Sequence, residues 1–166
     1  MPHPSQNQEN RDPVQDMAAD FEACARRAIE CLLNRPTLLS KPFGPRTRPA
    51  EEPCIRCFIE SGNPDQAFVV SLGISETGLR SLFPDEKDGE MGLDAIGEMV
   101  NIIAGTLFGR PVFRSRYGCL RATVPSFSAP GLDMGAAGIV RGVLLVGAAR
   151  LTLELAVIPG IRGGNE

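Results

Sequence analysis

The sequence predicts an α+β fold of two layers, with helices packed on one largely antiparallel β-sheet. Three observations lead there. Apolar residues recur at helical spacing near the N-terminus and again over residues 91–109. They alternate, or run continuously between turn signals, over 54–61, 66–73, 139–146 and 150–157. Short turns join 54–61 to 66–73 and 139–146 to 150–157, which antiparallel hairpins allow.

Taken in order, Asp12-Pro13 supplies an N-cap and a first-turn proline for the first helix. Phe21, Cys24, Ala25, Ala28, Cys31 and Leu32 form its apolar stripe, and Asn34-Arg35-Pro36 stops it. Residues 37–53 are proline-rich and read as an extended connection with a short strand at 37–40. Residues 54–61 and 66–73 form a hairpin around Gly62-Asn63-Pro64-Asp65. A short helix over 75–83 ends at Pro84, and a charged turn leads to a long helix that stops near Gly109-Arg110-Pro111. Residues 117–124 read as a strand, 125–137 as a loop, and 139–146 with 150–157 as a hairpin whose Leu151, Leu153, Leu155 and Val157 face the core. Residues 1–12 are expected to be a disordered tail, 13–160 a single domain, and 161–166 a frayed end.

Composition narrows the function. The chain has 166 residues, enough for one domain with a substantial core, and a net charge of −3. With pI near 5.3 and no Trp, neither phosphate-backbone binding nor base stacking is favoured, so nucleic acid is not an expected partner. Residues 1–16 are polar without the apolar core of a secretory leader, so none is expected, and Arg141 and Arg150 interrupt the apolar C-terminal stretch short of a membrane span. A cytoplasmic location, away from the membrane, is the expectation.

Five cysteines, Cys24, Cys31, Cys54, Cys57 and Cys119, fit a reducing compartment. Cys54 and Cys57 have the spacing of a metal or redox pair. No second pair stands at zinc spacing, and the single histidine, His3, lies in the tail. Within a strand, an odd separation sends the two thiols to opposite faces. Reduced, metal-free structural cysteines are expected. No nucleotide-binding loop, nucleophile elbow or internal repeat is present.

The chemistry-bearing pattern lies in the long helix. At about 100° per residue, Asp94, Glu98, Asn101 and Gly105 fall in a strip roughly 60° wide. Ile96, Met99, Val100, Ile103 and Leu107 fall opposite, as a core-facing stripe. A solvated helix face ordinarily carries Lys or Arg in i,i+4 pairs, but residues 91–109 contain no basic residue. Ala95, Gly97, Ile102, Ala104 and Phe108 are expected as small or apolar exposed flanks of the strip. A polar ridge so bordered suits docking to a partner.

The pattern Asp94-x-x-x-Glu98-x-x-Asn101-x-x-x-Gly105, with Gly97 before the glutamate, resembles the signature helix of the CheC/CheX/FliY phosphatases of bacterial chemotaxis. The order of helices and strands over residues 13–160 agrees with it. The motif occurs once, which is like CheX, whereas CheC usually carries two copies. The resemblance implies a CheC-like fold and hydrolysis of the aspartyl phosphate on a CheY-type receiver. Asn101 would orient the attacking water, and Glu98 would pair with the receiver's lysine. Asp94 is either an outer partner contact or a charge favoured at the helix start. Gly105 either admits the partner's backbone or packs within the chain. No cofactor belongs to this chain, since Mg²⁺ is expected in the receiver. The alternative is a receiver-binding module or flagellar-switch component that hydrolyses nothing. A homodimer through residues 136–149 at a sheet edge is compatible with either.

Overall fold

The computed structural model describes residues 17–48, 50, 53–86, 90–118, 120–128 and 138–160. In chain order the elements are α1 (Ala18–Leu33), β1 (Leu38–Arg46), β2 (Cys54–Glu60), β3 (Gln66–Ile74), α2 (Glu76–Leu82) and α3 (Glu90–Phe108). There follow α4 (Pro111–Tyr117), β4 (Arg121–Ala122), β5 (Ser126–Ser128), β6 (Gly138–Val146) and β7 (Ala149–Pro159). Every strand pair is antiparallel, in the order β1-β6-β7-β3-β2-β4, with β5 also on β2. The two-layer α+β expectation holds.

α1 closes as expected, with Asn34 in the left-handed conformation at φ 51°. Its Asp12-Pro13 start lies outside the described residues. Its buried stripe is shorter than expected: Phe21, Cys24, Ala25, Ala28 and Ile29 are buried, whereas Cys31 and Leu32 are exposed. The turn after α1 is tied by Thr37, whose N–H and hydroxyl both donate to Glu30 Oε1, at 3.0 and 2.7 Å. Arg26 Nε donates in turn to the Thr37 hydroxyl at 3.1 Å. The Thr37 donors hold the Glu30 carboxyl below the usual carboxylate range.

The proline-rich stretch yields more strand than expected. β1 runs to Arg46 along β6, slipping register between Leu39 and Lys41 and again before Gly44. Pro42 and Pro45 are tolerated because, among the described residues, one side of β1 has no strand neighbour and needs no N–H from them. The irregularity brings Phe43 inward over Gly142, where an added Cβ would collide with the ring, and edge-on to Phe21 at 5.3 Å between centroids. Because β1 and β7 occupy both sides of β6, the expectation that residues 136–149 form a free sheet edge for dimerisation is wrong.

The region after α3 also departs from expectation. Residues 111–117 form a helix, started by Pro111 and followed by Gly118 at φ 75°. Tyr117 is therefore the end of α4 and not the start of a strand. Its ring packs edge-on against Phe68 at 4.8 Å and lies nearly parallel to Phe113 at 6.2 Å. What remains of the expected strand is the pair Arg121–Ala122 on Glu60 and Ile59. Within the expected loop, Ser126–Ser128 pairs with Arg56 to Cys54. Residues 129–137 lie outside the described set.

The front of the sheet carries Ile55, Cys57, Ile59, Phe68, Val70, Leu72, Leu151, Leu153 and Leu155, packed with α1 and α3 in one core. The rear carries a smaller cluster of Ala67, Val69, Ile139, Ala156 and Ile158. Beside it a polar row crosses four strands through the pairs Arg56↔Ser71, Ser71↔Glu154 and Glu154↔Arg141. Arg141 donates to Glu154 Oε2 from Nε at 2.9 Å and from Nη2 at 2.7 Å, and Ala50 N–H reaches the same carboxylate at 2.9 Å. Arg56 is 1% exposed, and its Nε and Nη1 find no acceptor among the described residues.

Glu154→Ala is expected to lower the unfolding free energy by roughly 3 kcal/mol, because it strands Arg141 in a largely buried row without its carboxylate. Urea unfolding followed by circular dichroism measures it. A loss of under about 1 kcal/mol, the range of a solvated pair, would show that water already screens this row.

The cysteines divide by burial. Cys24, Cys54 and Cys57 are buried and Cys31 is exposed, all as free thiols. Cys54 lies on the rear of the sheet and Cys57 on the front, as their odd separation requires. Burial pushes the thiols of Cys24, Cys54 and Cys57 up, outweighing Arg110 beside the first and Arg56 beside the second. A thiol reagent at neutral pH is expected to label Cys31 quickly and these three only on unfolding, with site-resolved mass spectrometry as the readout. The stability their neutral burial confers is full below the ordinary thiol pKa and falls as pH rises toward the folded values. Fast labelling of Cys54 or Cys57 in the folded protein would contradict the burial assigned here.

Candidate functional site

α3 is oriented by its apolar stripe. Ile96, Met99, Val100, Ile103 and Leu107 are at 0% exposure, each burial contributing roughly 1.5–3 kcal/mol. They pack into the core shared by α1 and the sheet, which leaves the helix no freedom to roll about its axis. By length and composition α3 could cross a membrane, but here that apolar face is buried inside the domain. Arg110, just beyond the helix, pairs with Asp20 of α1 and further fixes the two helices.

The opposite face presents Asp94, Glu98, Asn101 and Gly105, all exposed and in one line. The flanks are less exposed than expected. Ala104 and Phe108 are buried, and Ala95, Gly97 and Ile102 are half-buried. The large apolar side chains exposed on α3 are Met91 and Leu93, toward its N-terminal end.

The ridge is electrostatically incomplete. Among the described residues, neither Asp94 nor Glu98 has an ion-pair partner, and the Asn101 amide has no hydrogen bond. Like charges at i,i+4 cost a helix roughly 0.2–0.5 kcal/mol, so Asp94 and Glu98 do not serve α3's own stability. Gly105 adds to that cost, since glycine within a helix is about 1 kcal/mol worse than alanine. Among the described residues a Cβ at Gly105 would meet nothing within 4 Å, so no packing contact there requires the glycine.

Beside the ridge lies a cleft that the sequence does not reveal. The segment from β4 to β5 runs along the outer edge of β2, held by Thr123 N–H to Phe58 O at 2.8 Å and by Phe58 N–H to Thr123 Oγ1 at 3.1 Å. Its Pro125 approaches α3 at Gly97, where an added Cβ would sit 3.8 Å from the proline Cβ. Between them opens a cleft of about 360 Å³ lined by Ile55, Leu93, Gly97, Val124, Pro125 and Phe127, with Asp94 and Glu98 at its border. The extreme exposure of Val124 and Phe127, 86% and 66%, is unusual for such side chains, but nothing in the local sequence pattern predicts it.

Chemically, the ridge offers an acid and an amide on a convex surface, with no enclosure for a small substrate. It can complete a site that another macromolecule brings. Among the described residues no three His, Cys, Asp or Glu side chains come together in a metal-binding group.

No protein-family model matches this chain, and no curated protein matches it by sequence. Solved structures do match in fold. A CheC-like superfamily protein from Shewanella sp. PV-4 superposes with TM-score 0.66 at 12% identity, covering 86% of this chain and 97% of its own. A chain of the CheX–CheY–BeF3–Mg²⁺ complex from Borrelia burgdorferi gives 0.62 at 13% identity, covering 87% and 99%. The FliM middle domain from H. pylori gives 0.52 at 8% identity, covering 87% and 86%. With four helices and an open antiparallel sheet of seven strands among its described residues, the chain has the CheC-like fold of the CheX and CheC-like chemotaxis proteins.

Proposed function

We propose that this protein is a cytoplasmic phosphatase that accelerates hydrolysis of the aspartyl phosphate on a CheY-type receiver domain. The observation that carries the reading is the exposure of Glu98 and Asn101, one turn apart on the outer face of α3, in a CheC-like fold. An aspartyl phosphate is a reactive mixed anhydride, and its receiver brings Mg²⁺ and a lysine of its own. The phosphatase then has one task, which is to place water in line with the leaving carboxylate. The water oxygen bonds to phosphorus, the bond from phosphorus to the aspartyl oxygen breaks, and inorganic phosphate and the free carboxylate leave.

Asn101 suits that placement, because a carboxamide both donates and accepts without adding negative charge near the phosphoryl group. Glu98 pairs with the receiver's lysine and fixes the register of docking. Asp94 is an outer contact with the same partner. Gly105 lets the partner's backbone approach the helix closely. The FliM-like fold supports a second reading, a receiver-docking or switch module without catalysis. Asn101 favours the enzyme, since docking alone has no use for a water-orienting amide.

Phosphate release from a phosphorylated receiver of the same organism, run beside a binding titration with its beryllofluoride form, separates the two readings. Asn101→Ala is expected to reduce turnover by about 10²-fold while leaving binding nearly intact. Glu98→Ala should weaken both. Binding without acceleration by the wild type would establish the switch-module reading, and full activity in Asn101→Ala would remove the catalytic assignment.

A further inference from the structure

Asp94 and Glu98 border the cleft between α3 and the β4–β5 segment, and Glu98 belongs to both the cleft and the ridge. Whatever covers the ridge therefore also meets the cleft. The chemistry of the lining restricts the occupant. Leu93, Val124 and Phe127 are exposed apolar side chains that converge on one opening, with Ile55 of β2 beneath them. Burying them is favourable only against apolar surface. The two carboxylates beside them have no cation partner among the described residues, so the occupant must carry positive charge next to its apolar group. An anionic ligand, a free phosphate or a nucleic-acid backbone would be repelled. A second copy of the chain placed ridge to ridge would oppose carboxylate to carboxylate, at a net charge of −3 per copy.

We propose that this cleft is the affinity-determining contact for the receiver, seating an apolar side chain that stands beside a Lys or Arg on the receiver's surface. The inference rests on the receiver-docking reading above and adds where selection among receivers takes place. The division of labour is spatial. Asn101 and Glu98 address the phosphorylated centre, while Leu93, Val124 and Phe127 grip the surface beside it. A buried apolar anchor next to a charged pair is the usual form of an interface hot spot. A Cβ at Gly97 would lie 3.8 Å from Pro125 Cβ, so a longer side chain there would fill this part of the cleft.

Val124→Asp and Phe127→Ala test this, with Leu39→Asp as an exposed apolar control on the distant strand β1. The readouts are Kd for a beryllofluoride-loaded receiver, KM and kcat for phosphate release, and circular dichroism to confirm folding. Val124→Asp is expected to raise both Kd and KM by about tenfold or more, Phe127→Ala somewhat less, with kcat at saturating receiver held within about twofold. Asp94→Asn should flatten the salt dependence of Kd. Unchanged Kd and KM in both cleft variants, beside an active wild type and an impaired Asn101→Ala, would overturn the cleft while leaving the phosphatase reading intact. Binding without turnover by the wild type would remove the phosphatase reading, and Kd alone would then decide the cleft. A wild type that does not bind receivers overturns both. Self-association of the wild type that Val124→Asp abolishes, with receiver affinity untouched, would assign the cleft to a second copy and overturn the proposal.

Discussion

The rotation of α3 about its own axis is the constraint from which the site follows. Five side chains at 0% exposure fix it, and with Ile103 and Leu107 inward, Asp94, Glu98, Asn101 and Gly105 have no orientation but outward. The ridge residues contribute nothing to this placement. They are carried by a core to which they do not contribute, and the carboxylate pair and Gly105 slightly weaken the helix that bears them. The core face and the candidate site thus sit on opposite sides of one helix, and substitution on the ridge is expected to be separable from folding.

The sheet beneath divides in a similar way. Its front is an uninterrupted apolar surface for the helices, while its rear mixes aliphatic residues with the row Arg56, Ser71, Glu154 and Arg141. The carboxylate of Glu154 accepts from Arg141 and from the backbone of Ala50, and so holds Ala50 against the rear face. A buried charge row contributes little net stability compared with well-packed apolar residues, yet it penalises any strand slip that would separate its members. Register in a sheet made largely of Val, Leu and Ala benefits from such a marker.

Much of this was legible in the sequence, and the failures have specific causes. The β2–β3 hairpin, α2 and the opposed faces of α3 follow from periodicity and from caps such as Ser75, which accepts from Gly78 N–H at 3.0 Å. β1 was underestimated because Pro42 and Pro45 argue against a strand, and only its position at the side of the sheet makes them harmless. α4 is not expected from the sequence, where Tyr117 reads as the start of a strand and 111–116 carry no clear period, although Pro111 and Gly118 mark its start and end. The charge row was within reach, since a two-residue turn at Gly147-Ala148 sets Arg141 opposite Glu154. The cleft was not within reach. It exists only because Val124 and Phe127 return along β2 to lie beside Leu93, some thirty residues earlier in the chain.

An open sheet has two borders, and each is closed to new strands in its own way. β1 forms one border with prolines at 42 and 45 and two slips of register, so a regular ladder cannot be laid against it. The other border, along β2, is already taken by the short pieces β4 and β5. Both borders therefore disfavour the addition of a regular strand, whether from a companion protein or from a misfolded copy. The helical layer instead offers exposed side chains, where a single residue exchange alters the surface without disturbing the backbone.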